Sequence, residues 1–339
     1  MFQRLRESFK NNPLIYYTMS VAATWAGGQS LVVGMSTAQE QGIIPFLLWA
    51  IGNTLAPIVF GLLALSIPKF QDVLEHKIVN GFMMVICVFQ IWVQMNNIQS
   101  MLGGTAYISG AAAIAITIAI AVAFLILFLK DSFPRNVLTD HVGWIGVYAL
   151  IAGVMIAALI QSGGAVNSLP LGNDPAMIKS GIEKAILLLP GCFAYPVFWK
   201  MLRYNEKNDD AVKHVDMKKA FVLGGLAFGA YLCFVFALAW VSFSPVLNLV
   251  KAILVTLIAV SSLSSFMYSL HCFMGKWFGT IASALAIAGW QILIPLGVLG
   301  AWTLMSTIRL YVLGAALVIA LVWAFYERRK CEVSKRDAV

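Results

Sequence analysis

Read for its apolar runs, the chain divides into ten segments of membrane-spanning length: 13–38, 43–66, 78–99, 110–130, 141–161, 179–203, 219–243, 246–275, 279–300 and 305–326. A helix needs about 20 mostly apolar residues to cross a bilayer. These runs are too continuous for the alternating pattern of an outer-membrane barrel. The connections between them are short. The pattern predicts one all-α, polytopic transmembrane domain over 1–339, with a charged, solvated tail from 327 to 339.

Two segments are interrupted. The first contains Ala22-Ala23-Thr24-Trp25-Ala26-Gly27-Gly28-Gln29-Ser30, two adjacent glycines beside an uncharged amide at mid-depth. The sixth contains Leu189-Pro190-Gly191-Cys192-Phe193-Ala194-Tyr195-Pro196, bracketed by prolines that remove donors and clash one turn back. Backbone groups freed from a helix in lipid must be buried in protein or line a cavity. The ten segments fall into two sets of five, 13–161 and 179–326, that start on opposite sides. Each set is interrupted about a dozen residues into its first member. Interrupted helices at matched positions of two inverted halves mark a transporter's binding site. A solute held between the breaks would meet Thr24, Gly27, Gly28 and Gln29 on one side, with Phe193 and Tyr195 on the other. Tyr195 and Phe198 are the aromatic candidates for a gate.

Composition agrees with this pattern: 60% of the residues are hydrophobic, 11% are charged, and the mean hydropathy is +0.85. The net charge of +8 raises the question of nucleic acid. Its distribution answers it. All but four of the 23 lysines and arginines fall on the side of the N-terminus, the exceptions being Lys179, Lys184, Lys251 and Arg309. That is a positive-inside pattern. It predicts a multi-pass protein of the cytoplasmic (inner) membrane with both termini cytoplasmic, and it explains the basic balance without a nucleic-acid partner. Arg4, Arg6 and Lys10 lead into a full-length segment, so no cleaved signal peptide is expected.

Chemistry-bearing residues are sparse. Ser261, Ser262, Ser264 and Ser265 cluster in the eighth segment, with Ser269 one turn on. Such hydroxyls, with carbonyls freed at a break, can hold a dehydrated sodium ion. They can equally bond back to their own helix or allow close packing. Gln90, Gln94 and Asn97 share one face of the third segment. That face should look inward, either lining a pocket or bonding between helices. Asn53 and Thr54 read first as packing residues. No Asp or Glu falls in the middle of a segment, since Glu40, Asp140 and Glu183 all lie near ends. Sodium coupling through neutral oxygens is then easier to build than a proton relay. No catalytic motif is present, so no enzyme is expected, and no organic cofactor is implied.

The stretch Ala22-Ala23-Thr24-Trp25-Ala26-Gly27-Gly28-Gln29 resembles the first core helix of the sodium:solute symporter family. Val260-Ser261-Ser262-Leu263-Ser264-Ser265 resembles its eighth, and Ala158-Leu159-Ile160-Gln161-Ser162-Gly163-Gly164 is similar to the end of its fifth. A basic stretch after the sixth helix, here Arg203 to Lys213, is also typical. The resemblance covers residues 15–275 and implies a minimal ten-helix member with a LeuT-like five-plus-five inverted repeat, broken in helices 1 and 6. By position it implies a sodium site made of the carbonyls of Ala22, Trp25 and Ile258 and the hydroxyls of Ser261 and Ser262. It also implies that Gln29 contacts substrate. The chain departs from the family in lacking the Asn-Gln and Gln-Arg pairs common in its sixth helix, so solute identity does not carry over. The expected function is sodium-coupled symport of a small neutral, zwitterionic or anionic solute by alternating access. The alternatives are a non-transporting receptor on the same fold, or an uncoupled facilitator or channel.

Overall fold

A computed structural model describes residues 7–8, 11–66, 77–128, 133–164, 166–207 and 215–336, and among them every regular element is helical. Arg4, Arg6, Lys10, Lys69, Lys130 and Lys213, which enter the charge asymmetry, lie outside the described residues. Helix α1 (Pro13–Trp25) opens with a proline in its first turn, where a missing N–H is harmless. It stops at Ala26 and Gly27, whose ψ angles of 88° and 159° are not helical. Helix α2 (Gly28–Ser36) then resumes and ends in a π-helical turn, Thr37–Gln41. Four helices follow: α3 (Ile43–Ala64), α4 (Lys77–Gly103), α5 (Gly110–Phe128) and α6 (Phe133–Gln161).

The second half begins with α7 (Pro175–Leu188), capped by the Asp174 carboxylate on the Ala176 N–H. A 3-10 turn, Gly191–Ala194, separates it from α8 (Pro196–Lys207). The pieces on either side of Tyr195 meet at 52°. Then come α9 (Met217–Ala239), α10 (Pro245–Gly289) and α11 (Gly297–Arg336).

Among the described residues, five stretches are long and apolar enough to cross a membrane: Ile43–Ala64, Gly81–Gly103, Gly143–Gln161, Met217–Ala239 and Pro245–Ile292. The bent pair Pro175–Ala194 and Pro196–Leu202 makes a sixth. The count falls below ten partly because the first segment is split into helices of 13 and 9 residues. The eighth and ninth segments are also continuous in α10, whose 45 residues contain one non-helical position, Gly275, at φ 75° and ψ 165°. Only glycine holds that conformation without strain, and it lies at the boundary the apolar pattern sets between these segments. The last helix continues to Arg336, so residues 327–336 are helical and continuous with α11.

Helix α10 packs along α4, α5 and α6, while α9 packs along α3 and α1. Small residues bring backbones together, as packing in lipid requires. A Cβ at Gly52 of α3 would sit 2.6 Å from the Ala185 Cα of α7. The outward faces are apolar too. On α3, Leu47, Ile51, Leu55 and Leu62 are exposed, as suits a helix surrounded by lipid.

Candidate functional site

The backbone groups released at the first break are taken up by side chains of other helices. Ser262 of α10 donates its hydroxyl to the Ala26 carbonyl at 2.9 Å. The Gly28 N–H reaches Gln94 Oε1 of α4 at 3.0 Å. Gln94 Nε2 in turn donates to Gln29 Oε1 at 2.6 Å, which also accepts from Asn97 Nδ2 at 3.2 Å. Ser30 folds back on the Gly27 carbonyl at 2.6 Å and lies 3.1 Å from the Tyr231 hydroxyl of α9. The carbonyls of Ala22 and Trp25 accept from the N–H groups of Ala26 and Gly27, at 2.9 and 3.0 Å. Each carbonyl oxygen has a second lone pair.

At the second break, Trp199 Nε1 donates to the Phe193 carbonyl at 2.9 Å. Gln90 Nε2 of α4 donates to the Tyr195 hydroxyl at 2.8 Å. One amide face of α4 therefore serves both breaks. The Tyr195 ring lies 5.3 Å from Trp25, 4.9 Å from Phe266 and 5.7 Å from Phe198, centre to centre. Phe198 itself is buried against Phe60 and Phe221.

The breaks face each other closely. A Cβ at Gly191 would collide with the Trp25 ring and come within 3.1 Å of the Arg309 guanidinium carbon. Between them is a narrow cavity of about 20 Å³, partly open to solvent. The first break contributes Trp25, Gly27, Gln29 and Ser30 to its wall. Helix α3 contributes Trp49 and Asn53, and α11 contributes Trp302 and Arg309. Leu188 and Tyr195 complete the lining from the sixth segment. Trp25 is fixed from behind by its Nε1 donating to the Asn53 carbonyl at 2.9 Å.

Of the residues anticipated to meet a solute, Gly27, Gln29 and Tyr195 line this cavity. Gln90, Gln94 and Asn97 lie one layer behind, bonded to Tyr195 and Gln29. Gly28 packs against Ala259, and Phe193 against Phe60. Thr24 is buried, and among the described residues its hydroxyl has no partner.

Ser262 stands on the first break, whereas Ser261 turns the other way and donates to Asp140 Oδ1 at 3.1 Å. Ser20 of α1 donates to the other oxygen, Oδ2, at 2.8 Å. Asp140 is only 2% exposed. Sequence placed it at the end of a segment beginning at 141, but α6 starts at Phe133 and puts it two turns inside the helix.

Arg309, counted from sequence with the outer-side cations, is a side chain of the protein interior. It is 1% exposed, twelve residues into α11, with its guanidinium 5.7 Å from the Trp25 ring centre. The available signal was an arginine inside the apolar run 305–326, which the loop count absorbed. Comparison with protein-family models and with curated proteins finds no match for the chain.

Proposed function

We propose that the chain is a sodium-coupled secondary transporter that moves a small solute by alternating access. Its ten apolar segments then form a LeuT-like five-plus-five inverted repeat in the inner membrane, with both termini cytoplasmic. One observation carries this reading: two interrupted apolar segments, from opposite halves of the chain, meet across a buried cavity. Buried irregular backbone at such a place is the pattern of a transport site.

In this reading sodium sits among the Ser261 and Ser262 hydroxyls and the carbonyls of Ala22, Trp25 and Ile258. Entry of the ion turns the Ser262 hydroxyl away from the Ala26 carbonyl and the Ser261 hydroxyl away from Asp140, both becoming ligands, and Asp140 beside them supplies counter-charge. The ion holds α1 and α2 against α10 and so orders Trp25, Gly27 and Gln29 around the solute. Tyr195 gates the cavity from its wall, with Phe198 packed behind it, and Gln90, Gln94 and Asn97 brace both breaks.

The test is uptake into proteoliposomes under an imposed sodium gradient. Concentrative uptake in sodium and none in choline is expected. Identical uptake in the two buffers refutes sodium coupling.

A second reading has one observation in its favour. Asp140 is a carboxylate buried against two neutral hydroxyls, and an intramembrane carboxylate can carry a proton where the first reading puts sodium. Uptake driven by a pH gradient in sodium-free buffer, and lost in Asp140→Asn, selects it.

A further inference from the structure

We propose that the cavity between the two breaks is an anion site in which Arg309 receives the carboxylate of a small monocarboxylate. This deepens the transport reading and rests on it only for the fate of the bound solute. Arginine stays protonated in proteins, so Arg309 brings a full positive charge into the cavity wall while 1% exposed. Its contacts are neutral. One terminal nitrogen donates to the Leu187 carbonyl at 3.3 Å, the Tyr195 hydroxyl is a further hydrogen-bond partner, and the guanidinium faces the Trp25 ring. Its Nε–H has no partner, and among the described residues Arg309 forms no ion pair. A buried charge left unpaired is strongly disfavoured, and a ligand of opposite sign removes that penalty.

Two further features point the same way. Trp49 lines the same cavity, is 2% exposed, and among the described residues its indole N–H has no partner. The two orphaned polar atoms in the cavity wall are therefore both donors, and what such a wall lacks is an acceptor. The N-terminus of α2 adds its positive end, because Gly27, Gln29 and Ser30 form part of the lining.

The charge count sets the ligand class. The lining holds one cation and no acid. A monoanion brings the site to neutrality, whereas a phosphate dianion leaves a negative charge buried. A carboxylate also matches the planar fork of arginine. The remaining wall mixes the rings of Trp25, Trp302 and Tyr195 with the polar Gln29, Ser30 and Asn53, and in so small a cavity it suits a short carboxylate that carries a polar substituent.

The experiment uses the purified full-length protein, with melting temperature and calorimetric titration as readouts. The probes are short aliphatic, hydroxy, keto, amino and aromatic monocarboxylates, each beside its uncharged amide, with chloride and phosphate in parallel. At least one carboxylate should bind saturably while its amide does not. Arg309→Met keeps the bulk of the stem and removes the charge. It should weaken that carboxylate by at least about 30-fold, the usual result of deleting one member of a buried charge pair, and should raise the melting temperature of the ligand-free protein. Arg309→Lys keeps the charge without the fork and should fall in between, which holds the test if the methionine variant does not fold.

Equal binding of a carboxylate and its amide overturns the inference. So does no carboxylate binding at all, or unchanged carboxylate affinity in Arg309→Met with a lowered melting temperature, which marks a packing role. Tighter binding of chloride or phosphate than of any carboxylate also overturns it. No membrane or gradient is involved, so the two readings fail separately. Carboxylate binding without flux removes the transporter and keeps this site. Sodium-driven uptake of an uncharged solute does the reverse.

Discussion

Gly28 is the point where the first break touches the serine helix, and Gly28→Ala tests whether that contact builds a cation site. A Cβ at Gly28 lies 2.8 Å from Ala259 Cβ and 3.2 Å from the Val255 carbonyl oxygen, whereas ordinary contact begins at 3.4 Å. Close-packed helices have no slack to absorb this, so α2 and α10 must part by about 0.6 Å. Ser262 lies one turn beyond Ala259, and its 2.9 Å bond to Ala26 would lengthen to about 3.5 Å, where a hydrogen bond is effectively lost. Overpacking of this kind costs about 1–3 kcal/mol. If it is relieved at the cation site, sodium affinity falls by about 5- to 150-fold. The assay is the sodium concentration that half-stabilises the purified protein in a melting experiment, with choline as the ionic-strength control. Ala259→Gly added to Gly28→Ala removes the Cβ–Cβ collision and should restore most of the lost affinity. An unchanged sodium midpoint in Gly28→Ala refutes the reasoning, and so does a double variant no better than the single one.

Three other outcomes follow from the same geometry. Gln94→Leu strands the buried Gly28 N–H and one bond to Gln29, and should destabilise the protein by about 2–4 kcal/mol in chemical denaturation, more than Asn97→Leu does. Asp140→Asn should abolish ion-dependent uptake while leaving solute-induced stabilisation measurable, because Asp140 does not line the solute cavity; retention of wild-type ion dependence would exclude Asp140 from coupling. Gly275→Ala meets no atom within 4 Å but must adopt φ 75°, ψ 165°, so a purely conformational loss of about 1–3 kcal/mol is expected, again read by denaturation.

What the sequence reveals of this architecture is whatever is encoded locally. Gly27-Gly28 and Pro190-Gly191 with Pro196 interrupt their helices through their own backbone chemistry, so both breaks are readable without any neighbour. The amide face of α4 is readable as a face, because i, i+4 and i+7 spacing is a property of one helix. Its partners are not: whether Gln94 meets a solute or the Gly28 N–H depends on a contact 66 positions away. Asp140 and Arg309 fail for a related reason. Charged residues near the ends of apolar runs are usually assigned to the interface, and only the packing of α6 against α1 and α10, or of α11 against the sixth segment, buries them. Chain order also hides continuity. The eighth and ninth apolar runs look like separate helices, yet Gly275 joins them within one stretch that bends at a single residue.

The first break has a buried charge of each sign as a neighbour, and this bears on how the proposed ligands would be coupled. Ser20 of α1 holds Asp140, and five residues on, Trp25 presents its ring to Arg309. With Asp140 ionised and both sites empty these charges sum to zero, and they would do so again with a cation by Asp140 and a carboxylate on Arg309. With only one ligand bound, the core carries a net unit charge. Rearranging a net-charged site through a low-dielectric core is harder than rearranging a neutral one, so the fully loaded and fully empty forms are the ones suited to exchange sides. The backbone from Ala22 to Gly28 that a cation would order also carries Trp25 and Gly27, two parts of the cavity wall. If both proposed ligands bind, each would therefore favour the conformation the other needs, and by linkage the gain in affinity would be the same in both directions. Coupling in this arrangement requires no long pathway, because both ligands act on one short interrupted helix.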